Sequence, residues 1–138
     1  QDIGETNCAG AVVAAGAMVT YAFSISGNQL LCNTIAPAAG TPAAGGTVVA
    51  DNIEDMQIQY GIDSEPDGVI DNLYTPTPTA AQFQQVAAVR VEILVRGPTP
   101  NVATNTRTYK YNGADLIVND GFLRQVYTAT FTVRNQAR

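Results

Sequence analysis

The chain has 138 residues, 46% of them hydrophobic and 14% charged, which suits one folded domain and excludes a charged disordered tail. It contains no His, so Ser-His and Cys-His nucleophiles, His-ligated zinc and a histidine pH switch are all excluded. The net charge of −5 divides into nine acidic and no basic side chains over residues 1–89, then seven basic against three acidic over 90–138. The basic residues are dispersed rather than gathered in a stripe, which excludes nucleic acid as a partner.

In chain order, Cys8 comes first, and Cys32 is its only counterpart. An even count, no CxxC spacing and no candidate base nearby point to a disulfide and an oxidising compartment; two separately buried thiols are the alternative. The chain opens at Gln1 with neither Met nor a basic leader, which reads as a processed or truncated product. The longest apolar stretch, 9–19, falls short of the roughly 20 residues that cross a bilayer.

Val19–Ser26 alternates, with Val19, Tyr21, Phe23 and Ile25 on one face, and Ser26-Gly-Asn-Gln29 supplies turn chemistry before Leu30–Asn33. This hairpin carries Cys32 back towards Cys8. Residues 36–46, rich in Gly, Pro and Ala, read as a surface loop. The spacing predicts a helical turn over Val48–Asp55, whose Asp51, Glu54 and Asp55 suit a helix N-terminus better than a general acid/base pair. Gln57–Ile62 then alternates as a half-buried strand.

The sharpest local pattern follows. Asp63, Glu65, Asp67 and Asp71 stand at positions 1, 3, 5 and 9 of a loop, with Gly68 at 6 and the Val69 carbonyl at 7, as in the first three-quarters of an EF-hand calcium loop. Alternate residues of a tightly curled loop converge their oxygens, and Gly68 permits the left-handed turn that brings the position 7 carbonyl inwards. Position 12 is Tyr74 rather than a bidentate Glu, so a modest Ca2+ affinity is expected, with an acidic turn of solvated carboxylates as the alternative.

Thr75–Thr79 (TPTPT) reads as an extended linker and Ala80–Ala88 as a short helix. Val89–Arg96 is the clearest strand, with Val89, Val91, Ile93 and Val95 on an apolar face and Arg90, Glu92 and Arg96 on a wetter one. Thr106–Tyr111 forms a strand closed by Asn112-Gly113, with Lys110 turned to solvent. Asp115 and Asp120 are expected at turns around a short strand. Arg124–Arg134 closes the set, with Tyr127, Ala129, Phe131 and Val133 on one face. Strands joined by turns, without βαβ alternation, predict an antiparallel sheet. No predicted helix is long enough to cover its apolar face, which calls for a second sheet layer or a long helix from elsewhere.

Four blocks together carry a resemblance: DNIEDMQIQYGID at 51–63, DGVID at 67–71, VAAVRVEILVR at 86–96 and RQVYTATFTVRN at 124–135. Their order and spacing resemble the PilW-type minor pilins of bacterial type IV pili over nearly the whole chain, and Cys8 and Cys32 resemble the cysteine pair that brackets the first hairpin there. Phe83 stands where that pattern has Trp, and the prepilin cleavage motif and long hydrophobic helix do not occur in this sequence.

The resemblance implies an α+β pilin-like fold, mostly antiparallel sheet here, with one or two short helices and residues 1–138 as a single domain. It also implies a non-enzymatic structural subunit that helps to prime pilus assembly and sits at the pilus tip. Its partners would be other minor pilins, the major pilin and a large tip adhesin. It would lie in the inner membrane and periplasm before assembly, then outside the cell, with this chain a soluble fragment. The J-type minor pseudopilin of type II secretion is the neighbouring alternative. A calcium-dependent extracellular binding module comes next, and a hydrolase last, because the acids cluster in one loop rather than across a cleft.

Overall fold

A computed structural model describes residues 6–14, 19–35, 45–65, 67–71 and 74–133. Their chain divides into two compact units, Gln1–Glu54 and Asp55–Arg138.

In the first unit β1 (Thr20–Ser26), β2 (Gln29–Ile35) and β3 (Thr47–Asp51) form an antiparallel sheet in the order β1-β2-β3. Gly27 and Asn28 join β1 to β2 with φ of 59° and 61°, the double left-handed conformation that matches strand twist in a two-residue hairpin. Phe23 pairs with Cys32 in this register. Cys32 is buried and joined in a disulfide to Cys8, with their Cα atoms 5.9 Å apart. The Cys8 segment is itself a closed turn, in which Asn7 Oδ1 accepts from the N–H groups of Ala9 and Ala11 at 3.0 Å.

The helical turn expected over Val48–Asp55 is replaced by strand. Val48 pairs with Leu31 and Thr47 with Cys32, and Asn52 breaks the chain at φ 61° before β4 (Ile53–Ile62) begins. β-branched Val48 and Val49 favour the pleated conformation, and β2 offers them a partner that a local helical pattern ignores. Asp51, Glu54 and Asp55 therefore cap no helix. Asp51 Oδ1 accepts from Gln29 Nε2 at 2.8 Å, and Asp55 accepts from the Met56 N–H and from Gln57 Nε2, each at 2.9 Å. Of the loop expected at 36–46, residues 36–44 lie outside the described residues.

β4 runs on into the second unit, followed by β5 (Tyr74–Thr75), α1 (Ala80–Phe83), β6 (Val86–Arg96), β7 (Arg107–Tyr111), β8 (Ala114–Val118) and β9 (Arg124–Thr132). Four strands make one sheet in the order β5-β4-β6-β9, while β7 and β8 form a separate hairpin. The β4–β5 and β6–β9 pairings are antiparallel. The core holds Ile62, Val86, Ala87, Ala88, Leu94 and Ala103.

The helix expected over Ala80–Ala88 stops at Phe83. Its start is a capping box: Thr79 Oγ1 accepts from the Gln82 N–H at 3.3 Å, and Gln82 Oε1 accepts from the Thr79 N–H at 2.9 Å. Its end is set by burial, since Val86, Ala87 and Ala88 join β6 and the Ala87 carbonyl accepts from Val133 N–H at 2.8 Å. Asp115 also departs from expectation. It lies within β8 opposite Lys110, and the two form an exposed ion pair at 2.7 Å.

The face of β6 expected to be wet is packed. Asn112, in the β7–β8 turn, donates its N–H to Glu92 Oε2 at 2.7 Å and accepts from Gln59 Nε2 at 2.9 Å through its side chain. The Arg90 guanidinium lies 3.5 Å from the Tyr74 ring centroid, and that of Arg96 lies 4.4 Å from Phe122. Glu92 and Gln59 thus meet the hairpin turn, while the Arg90 and Arg96 guanidinium groups lie against aromatic rings.

Candidate functional site

The acidic loop leaves the end of β4. Asp63 is 8% exposed and its N–H donates to the Gln85 carbonyl at 2.9 Å, tying the loop to the turn before β6. Asp63 Oδ2 accepts from the Gly68 N–H at 3.0 Å, across a turn that Gly68 makes at φ 84°. Asp71 closes the loop: its N–H donates to the Ile62 carbonyl at 3.0 Å, and its Oδ2 accepts from both the N–H and the hydroxyl of Ser64. Those Ser64 bonds, the hydroxyl first, hold the Asp71 carboxyl below its ordinary range. Asp67 Oδ1 accepts from the Val69 N–H at 2.8 Å, and Glu65, Asp67 and Val69 are exposed.

The five residues singled out as calcium ligands thus share one closed loop, but the carboxylates of Asp63, Asp67 and Asp71 accept from backbone N–H groups and the Ser64 hydroxyl rather than converging on one point. No group of three acidic, His or Cys side chains among the described residues is placed to hold one metal ion. Within the loop Asp63 Oδ1 is buried without a hydrogen-bond partner among the described residues. Gly61 seats the loop against β4, because a Cβ there would lie 3.0 Å from Ile70 Cδ1 and 3.1 Å from Tyr74 Cε1.

The second candidate is a surface. Gln59 and Glu92 both bond Asn112, so they share the hairpin side of the sheet. By strand alternation Ile58 and Tyr60 of β4, and Val89, Val91 and Ile93 of β6, share the other side. In the β6–β9 register Ile93 faces Tyr127, Val91 faces Ala129 and Val89 faces Phe131. Tyr127 and Phe131 are each 60% exposed, and Ile58 is exposed too. Phe83 of α1 meets the Tyr60 ring edge-on, with centroids 5.5 Å apart, and borders this face. The result is a continuous apolar sheet face without a cover among the described residues.

An apolar hollow in the first unit is lined by Cys8, Tyr21, Phe23, Cys32 and Val49 together with Thr6 and Asn7, with no carboxylate or basic group on its walls among the described residues. Sequence reasoning missed two buried polar features of the second unit. Arg124, buried at the start of β9, makes a two-pronged contact to Asp120, Nη1 to Oδ1 at 2.9 Å and Nη2 to Oδ2 at 2.5 Å, and its N–H donates to the Tyr109 hydroxyl at 3.1 Å. These bonds hold the Asp120 carboxyl well below its usual range. Tyr111 is the other: burial, then the neighbouring Asp55 carboxylate, pushes its phenol above its usual range. A single Arg four residues after an Asp was the available signal for the first; nothing local marked the second.

Among the described residues no helix is long and apolar enough to cross a membrane. No curated protein and no solved structure matches this chain. A family model does match, over residues 18–135, and it is described as Type IV Pilus-assembly protein W. That span takes in β1 through β9, the acidic loop and the apolar face, and the chain belongs to the PilW family of type IV pilus-assembly proteins.

Proposed function

We propose that residues 1–138 form the single pilin-like α+β domain of a structural minor pilin, which helps to prime type IV pilus assembly and takes its place in the tip complex. The observation that carries this reading is the apolar face of Ile58, Val91, Ile93, Tyr127 and Phe131, uncovered among the described residues and borne by a chain of a pilus-assembly family. A contiguous exposed apolar patch on a folded domain marks a docking surface. Pilins lay the C-terminal half of a long N-terminal helix on their sheet, and this face offers such a helix its seat. Loops and strand edges then meet other minor pilins, the major pilin and a large tip adhesin. The chain waits in the inner membrane and periplasm and moves outside the cell with the filament. It works by packing surfaces, with no bond made or broken.

The test is co-expression of the full-length chain with the other minor pilins of the same pilus system, followed by affinity capture. Wild type should retain at least one of them. Tyr127→Lys with Phe131→Lys should remove the full-length subunit from the complex, while residues 1–138 carrying both changes keep their circular dichroism spectrum. A parallel co-expression with type II pseudopilins in which those alone are captured would establish the J-type alternative, and capture of neither set would overturn the reading.

A further inference from the structure

Asp63 Oδ1 is a carboxylate oxygen shut away from water with no hydrogen-bond partner among the described residues. A buried carboxylate in that position is settled by a donor, a proton or a cation. No basic side chain among the described residues hydrogen-bonds it, and Arg90 lays its guanidinium on the Tyr74 ring. The other Asp63 oxygen is held by the Gly68 N–H, which turns the carboxylate inward over the loop rather than out to solvent.

The rest of the loop supplies oxygen and nothing else. Asp71 uses only Oδ2 for Ser64, and Asp67 uses only Oδ1 for Val69, so each keeps its second oxygen outside those bonds. Both side chains are exposed and can reorient around a fixed Asp63. Gly68 at φ 84° makes the sharp turn that a curled oxygen cage requires at its sixth position.

We propose that the loop Asp63–Asp71 binds one Ca2+, with buried Asp63 Oδ1 as its fixed ligand and Glu65, Asp67, Asp71 and the Val69 carbonyl completing the shell with water. All donors are hard oxygens, which excludes a thiolate or imidazole metal, and a flexible set of mixed carboxylate, carbonyl and water ligands suits calcium better than the strict octahedron of magnesium. Tyr74 at the twelfth position removes the usual bidentate Glu, which places the affinity in the range of extracellular modules, about 10⁻⁴ to 10⁻³ M. Because Asp63 is tied to Gln85 and Asp71 to Ile62, an ion here fastens the end of β4 to the entry of β6. The inference stands apart from the pilus reading, since it needs only the loop.

The experiment is thermal unfolding of the oxidised chain in calcium, in magnesium and in excess chelator, alongside Tb3+ luminescence excited through the tyrosines. Calcium should raise the midpoint saturably at millimolar concentration, magnesium at the same level should not, and chelator should reverse the gain. Asp67→Ala, at an exposed position that leaves folding intact, should weaken calcium binding and bound Tb3+ emission at least about tenfold. Asp63→Asn should abolish both. No midpoint shift in calcium, an equal shift in magnesium, or a calcium shift that survives Asp67→Ala unchanged would each overturn the proposal.

Discussion

Arg124 illustrates how a single residue decides stability in this chain. Its side chain is buried at the mouth of β9, where the fork of Asp120 neutralises it and the Tyr109 hydroxyl receives its backbone N–H. Because the Asp120 carboxyl is depressed in the folded state, its contribution is present in full above the unfolded carboxylate range, near pH 4, and is lost as pH falls through the lower folded value. Denaturant unfolding of wild type and Asp120→Asn should therefore show a constant gap from pH 7 down to about pH 4 that closes in stronger acid. A gap unchanged down to pH 2 would disprove the pairing. In the sequence Arg124 reads as an ordinary strand residue, because the turn that folds Asp120 back over it is a tertiary arrangement with no periodic signature.

At the scale of elements, what was legible was local. Asn112-Gly113 marks the β7–β8 hairpin, and both residues take positive φ, 50° and 74°. Gly113→Ala meets no neighbour, so its cost is backbone strain alone, about 1 kcal/mol, read as a lower midpoint in urea. A variant as stable as wild type would mean that the turn is formed differently. What was illegible was long-range. The Val48–Asp55 segment has the acids of a helix start, yet β2 recruits its valines as a third strand. Val86–Ala88 follow a helix pattern and are drawn into the buried strand β6. The two faces of β6 were sorted by polarity, but the hairpin, held by Asn112 to Glu92 and Gln59, covers the charged one and leaves the valine face open. Which side a separate hairpin settles on is not written in the alternation of either strand. The acidic loop was legible in its spacing and its Gly68, whereas the orphaned Asp63 oxygen is a consequence of burial that spacing does not encode.

Taken as a whole molecule, the chain pairs a disulfide-tied three-stranded unit with a four-stranded unit that presents an apolar face, and its PilW family match runs through both. As proposed above, this chain is a structural subunit needed to start pilus assembly. The most direct test counts surface pili on cells from which the full-length gene has been deleted, with the major pilin quantified in the same membranes. The account predicts that pili fall to near zero while the major pilin persists in the membrane, and that the intact gene restores them. Normal pilus numbers in the deletion strain would contradict it.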